Sequence, residues 1–331
     1  MASSEPQVFE KHGKYEIPAE FWAHMRDEFS STLKDSDIQI GLDLTASTEA
    51  DWTKDGEIFT RSSPGDARFV NTRIAEIHTA AKAIGAQALV HNKKIEMWFI
   101  TTSATADGKT GEKWKRHNTG LEDRNDINKL LKSCKEPAGG TRLIETLEEA
   151  LETYVAAIVK KPKGKALSLI WFLDGVDSDV EDQVLKGERV DLGPLKKVVM
   201  DAAATLKKQT KCPDVRDKLG VHFCLVTSNQ KVIKAYNGFD KAAMYEDPET
   251  GESFECDIFD FTTIKQVMDM GGWNSPLTHM KLIGGARSRF LNDVFEYIEQ
   301  LPVEFDSNGK GQPPSNDDLM AEVEKKRGAK A

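Results

Sequence analysis

Residues 166–173 read ALSLIWFL, an almost unbroken apolar run of strand length. A strand with one wet face alternates apolar and polar side chains, so a run that is apolar at both parities must be covered on both faces. That is the habit of a parallel sheet lying between two layers of helices. Other runs fit the same sheet. Ile38–Asp43 (IQIGLD), Ile95–Thr101 (IEMWFIT) and Val221–Val226 (VHFCLV) read as strands, and Asp257–Phe261 as a last one. Between them, apolar residues recur at helical spacing. One set is Phe69, Val70, Ile74, Ile77, Ala81 and Ile84, and another is Leu143, Leu147, Ala150, Leu151, Tyr154 and Val155. Leu195, Val198, Val199, Ala202, Ala203 and Leu206 form a third, and Phe290, Leu291, Val294, Phe295, Ile298 and Leu301 a closing one. Strands alternating with helices predict an α/β fold: a doubly wound, Rossmann-like, mostly parallel central sheet flanked by helices. One short antiparallel edge strand is expected within the polar residues 103–123.

The chain divides into three parts. Residues 1–36 read as an N-terminal helical extension. After Pro18, the residues Phe21, Trp22, Met25, Phe29 and Leu33 are spaced to lay an apolar stripe on the main domain. The main domain spans residues 37–303. Residues 304–331 turn polar and read as a flexible or loosely helical tail. Hydrophobic content of 39% and charged content of 30% suit a soluble globular chain of 331 residues. A net charge of −9 counts against a nucleic-acid partner, which wants a basic face. There is no signal peptide and no apolar stretch of transmembrane length, so a cytoplasmic location is expected. None of Cys134, Cys212, Cys224 and Cys256 stands in C-x-x-C spacing, which argues against a zinc knuckle or a redox motif. His222 and Cys224 share one strand face and read as core residues. Nothing in the chain signals an oligomeric state.

Chemistry concentrates in three short segments. Asp43-Leu44-Thr45-Ala46-Ser47 ends the first strand of the domain, Gly139-Gly140-Thr141 opens a helical pattern, and Asp174-Gly175 ends ALSLIWFL. Open parallel sheets bind ligands at the carboxyl ends of their strands. Thr45, Ser47 and Thr141 offer hydroxyl oxygens that can ligate a hard cation directly, and Asp43 and Asp174 offer carboxylates that can hold metal-bound waters. Such an oxygen set suits Mg²⁺ or Mn²⁺. With mostly neutral direct ligands the ion keeps its charge and draws an external carboxylate into an open position. Taken singly, Asp43 also reads as an Asx turn and Thr141 as a helix cap. It is the order of the segments and their placement at element boundaries that make a set of them. Asp177, Asp179, Glu181 and Asp182 form an acidic loop beside the third segment, either a solvated loop or a negative field that retains the cation.

These segments resemble the metal-ion-dependent adhesion site (MIDAS) of von Willebrand factor type A (vWA) domains, with its D-x-S-x-S, threonine and aspartate. Here the pattern stands as Asp43-x-Thr45-x-Ser47, Thr141 within GGTRLIETL, and Asp174 within WFLDGVDSD. Thr45 departs from the commonest serine but keeps the hydroxyl. DLTAS with DGVDSD most resembles the copine-like intracellular branch, and the resemblance covers roughly residues 37–303. No C2-like membrane module is read ahead of it, so copine-type membrane behaviour is not expected. The resemblance implies a protein-interaction module whose Mg²⁺ or Mn²⁺ captures an Asp or Glu side chain of a protein partner. The metal set is Asp43, Thr45, Ser47, Thr141 and Asp174, with no catalytic residue.

Ser103–Thr110 (SATADGKT) nearly matches the phosphate loop G-x-x-x-x-G-K-[ST]. It lacks the first glycine, carries Asp107, and does not open an apolar-faced helix, so it reads as a surface turn. Ser47 lacks a nucleophile elbow. Gly284–Arg289 (GGARSR) reads as the lead-in to the last helix, with a solvated pair of arginines. A metal-dependent enzyme acting on phosphate esters or nucleotides is the alternative function, and an assembly subunit with a degenerate site is a third.

Overall fold

The computed structural model describes residues 9–45, 48, 73–100, 105–107, 113–134, 140–177, 192–237, 243–246 and 253–298, and the single positions 321 and 325. A hairpin of β1 (Phe9–His12) and β2 (Tyr15–Pro18) leads into α1 (Ala19–Lys34). There follow β3 (Ser36–Asp43), α2 (Arg73–Ala88), β4 (Ile95–Ile100), β5 (Thr105–Asp107), β6 (Lys113–Lys115), β7 (His117–Leu121), α3 (Arg124–Ser133), α4 (Leu143–Lys160) and β8 (Ala166–Leu173). The second half holds α5 (Gly193–Thr210), β9 (Leu219–Leu225), α6 (Gln230–Tyr236), β10 (Ala243–Glu246), β11 (Ser253–Cys256) and β12 (Phe259–Thr263). Then come α7 (Ile264–Asp269), α8 (Pro276–His279), a π-helical turn over Met280–Gly284, and α9 (Arg289–Ile298). Apart from Ala321 and Lys325, the expected tail lies outside the described residues.

The central sheet has six strands in the order β12-β9-β8-β3-β4-β7. All pairings are parallel except that of β4 with the edge strand β7. Counted in chain order, the strands run 3-2-1-4-5-6, the doubly wound arrangement. Its switch point lies between β3 and β8. The chain leaves these two neighbours toward opposite edges of the sheet, and their carboxyl ends are where doubly wound folds take their ligands.

Two-residue periodicity sorts each strand between two cores. From β8, Leu167, Leu169, Trp171 and Leu173 pack against α4, α5 and α6, whereas Ile170 and Phe172 face α1, α2 and α9. Every residue of β8 is buried, so the opening run is explained by cover on both sides. Gly41 in β3 lies under the neighbouring indole: a Cβ there would sit 1.9 Å from Trp171 Cε3. Only a residue without a side chain lets the two strands keep that contact. α1 buries Phe21, Trp22, Met25, Phe29 and Leu33 in the same core as Ile38 and Phe172. Each is worth roughly 1.5–3 kcal/mol of burial before chain entropy is subtracted.

Some elements differ from the sequence reading. The β1–β2 hairpin was not expected, because its four-residue strands are too short to show a period. The same holds for α6, with seven residues, and for β10 and β11. The helix expected to begin at Thr141 begins at Leu143. Of the SATADGKT segment, residues 105–107 pair antiparallel with Lys113–Lys115, where a phosphate loop needs a helix. The arginines after Gly285 do not form a solvated pair. Arg289 is exposed and pairs with Asp214 at 2.7 Å, but Arg287 is half-buried beside Gly220, and burial pulls its guanidinium below the usual range. Among the described residues no helix is long and apolar enough to cross a membrane.

Candidate metal site

Asp43 is the last residue of β3 and Asp174 the first after β8, so the two carboxylates flank the switch point. Both are buried, Asp43 completely. Asp43 Oδ1 accepts from the Thr45 backbone N–H at 3.1 Å and from its hydroxyl at 2.6 Å. This is the Asx turn that the bland reading of Asp43 foresaw, and it accounts for one oxygen only. Oδ2 is buried with no donor among the described residues. Burial first, and then the neighbouring Asp174 carboxylate, push the Asp43 carboxyl well above the usual carboxylate range, against the two Thr45 hydrogen bonds.

Thr141 does not cap its helix. Arg142 holds the N-cap position of α4 without a side-chain cap, and the Thr141 hydroxyl donates to Thr45 Oγ1 at 3.2 Å, across 96 residues of sequence. The α4 N-terminus is served from outside: Ile144 N–H donates to Asp177 Oδ2 at 3.0 Å. A carboxylate there complements the helix dipole. It also ties the loop after β8 to the first turn of α4. Asp177 is therefore buried against the α4 N-terminus and is not a solvated loop residue. Asp179, Glu181, Asp182, Gly139 and Ser47 lie outside the described residues.

Two further residues complete the rim, and the sequence reading missed both. Arg73, at the start of α2 and 8% exposed, places Nη1 3.3 Å from Asp174 Oδ2. Tyr236, at the end of α6, is buried and donates to the Gly175 carbonyl at 3.5 Å. Its hydroxyl is pushed far above the usual phenol range by burial, and then by the charges of Asp43, Asp177 and Asp174. Tyr236 thus lies within electrostatic reach of all three carboxylates. Neither residue has a local signal. Arg73 reads as the polar face of an amphipathic helix, and Tyr236 sits in an element too short to recognise.

The residues present fit a hard cation. An unsatisfied buried carboxylate oxygen, a second carboxylate and two hydroxyls converge where a ligand crevice is expected. Neighbouring ligands in an octahedral Mg²⁺ shell lie about 3 Å apart, and Thr45 Oγ1 and Thr141 Oγ1 are 3.2 Å apart. Among the described residues no three His, Cys, Asp or Glu side chains gather as a metal group. The donor set here is of hydroxyls with two aspartates.

One other constellation has the outline of a nucleophile, base and acid. His222 Nε2 meets Thr262 Oγ1 at 2.9 Å, and His222 Nδ1 is 3.3 Å from Asp260 Oδ2. It is sealed: Thr262 is 0% and His222 1% exposed. Lys281 Nζ, from the π-helical turn, adds a contact of 3.1 Å to Asp260 Oδ1. This is a buried ion cluster that joins β9, β12 and the turn, with no path for a substrate. No protein family matches the chain, and no curated protein matches it.

Proposed function

We propose that this chain is a vWA-like interaction module that uses Mg²⁺ or Mn²⁺ at the switch point to capture an aspartate or glutamate side chain of a protein partner. Thr45, Thr141 and Ser47 hold the ion, and Asp43 and Asp174 orient its waters. The observation that carries the reading is the linkage of Thr141 to Thr45 and of Thr45 to Asp43, with Asp174 beside Asp43 and with Asp43 Oδ2 buried and lacking a donor among the described residues. The roles follow from spacing. Asp43 Oδ1 lies 2.6 Å from Thr45 Oγ1, shorter than the roughly 3 Å between adjacent ligands, which favours Asp43 as the group that orients a ligand hydroxyl. Neutral hydroxyl oxygens against the ion leave most of its charge to attract an external carboxylate. When bound, the cation supplies that electrostatic attraction and an open coordination position.

Thermal melting in EDTA and in millimolar Mg²⁺ or Mn²⁺ tests the first half. The midpoint should rise with metal by the linkage relation, about 2.7 kcal/mol at a hundredfold excess over the dissociation constant, and Thr45→Ala should remove the rise. The second half is tested by water-proton relaxation of bound Mn²⁺. An aspartate-containing peptide should displace water from the ion, and its asparagine analogue should not. A melting curve indifferent to metal sinks the metal site; relaxation indifferent to the peptide sinks the capture of acidic partners.

A further inference from the structure

Arg73 is a cation that the chain itself brings to the rim. It is buried in the first turn of α2, and its Nη1 reaches Asp174 Oδ2 across 101 residues of sequence. One turn on, Glu76 accepts from Trp273 Nε1 at 2.8 Å, which ties the same end of α2 to the segment before α8. The helix is therefore held in place, and Arg73 cannot withdraw without moving its own side chain. A guanidinium is charged at every physiological pH. The crevice thus contains two carboxylates in unlike states. Asp174 has a resident positive charge, and Asp43 Oδ2 has no donor among the described residues. A divalent ion entering between them satisfies Asp43, but it is repelled by Arg73 and must share Asp174 with it.

We infer that Arg73 is a built-in counter-ion that sets the cation threshold of the site: it holds Asp174 when divalent cation is scarce and yields it when cation is plentiful. The inference rests on the metal reading proposed above. It gives the crevice two ordered states, one closed on arginine and one open on metal, so that capture of an acidic partner depends on cation concentration.

The test is calorimetric titration of the full chain with Mn²⁺, together with melting in EDTA. Arg73→Gln removes the charge, and Arg73→Met does the same while keeping the buried stem, should the glutamine variant fail to fold. Arg73→Lys keeps the charge. The two neutral variants should bind Mn²⁺ roughly tenfold or more tightly than the wild type, as expected when a repelling charge a few ångströms from the ion is removed. They should also melt lower in EDTA, and the lysine variant should stay near the wild type in both. Neutral variants that bind Mn²⁺ no tighter than a wild type that does bind it would overturn the inference and leave the metal site standing. Absence of Mn²⁺ binding in all four proteins would overturn the metal reading and the inference with it.

Discussion

Replacing Asp43 by asparagine separates what this side chain does for folding from what it does for a cation. Oδ1 holds two Thr45 hydrogen bonds, and Oδ2 is buried without a donor among the described residues. Asparagine keeps the shape and the Oδ1 acceptor, and it puts an amide donor where Oδ2 faces Asp174. Leaving a buried polar atom unsatisfied costs about 1–3 kcal/mol, and an unpaired ionised group costs more. The sign with pH follows from the raised folded-state pKa. As pH rises, the unfolded chain loses this proton first, so the carboxyl subtracts stability above the unfolded carboxylate range, near about 4. The Asp43→Asn protein should therefore be about 1–3 kcal/mol more stable than the wild type in EDTA at pH 7, and that advantage should vanish as the pH falls below about 4. By the usual scaling, the gain raises the midpoint on the order of 2–4 °C per kcal/mol. Urea and thermal melts over a pH series read it directly. The same variant should show no upward shift with Mn²⁺, because the carboxylate oxygen that would accept from the ion's waters is gone. An asparagine variant less stable than the wild type in EDTA, or one that keeps the full Mn²⁺ shift, would refute the argument that this carboxylate is kept at a folding cost for a cation.

Two further outcomes test the frame around the site. Gly41→Ala pushes a methyl to 1.9 Å from the Trp171 ring in the middle of the sheet. It should cost about 3 kcal/mol in urea melts, the upper part of the range for overpacking, and change the near-ultraviolet signal of Trp171; an unchanged melt would contradict the packing. In the buried cluster, desolvation pushes the Asp260 carboxyl up, but Lys281 and then His222 outweigh it and hold it at about 2. A folded-state pKa below the unfolded one contributes stability that is present above about pH 4 and lost as pH falls toward 2, about 2 kcal/mol in all. Lys281→Met should cost about 3–5 kcal/mol at neutral pH by stranding Asp260 and should erase that acid-dependent loss, as pH-resolved urea melts would show.

The layered fold was legible because its signals are local. ALSLIWFL announces a strand covered on both faces, and the stripes of α2, α4, α5 and α9 announce helices, each within a window of a dozen residues. Asp43, Thr45, Thr141 and Asp174 were legible as a group for a related reason: each stands at a boundary between elements, and an open parallel sheet gathers such boundaries on one rim. What escaped were elements too short to carry a period, β1, β2, β10, β11 and α6, and with α6 went Tyr236.

The amino-acid order alone determined which stretches become strands and helices and which oxygen-bearing residues end up at their tips, because backbone preference and the spacing of apolar residues act between near neighbours. Only the tertiary structure decided that β3 lies beside β8, so that two acidic tips share a crevice. It also decided that Asp177 serves the N-terminus of α4, that Arg73 rather than solvent meets Asp174, and that one oxygen of Asp43 finds no donor among the described residues. Those are contacts between residues far apart along the chain. They depend on strand order and on which side chain reaches a buried charge first, and no local window contains either.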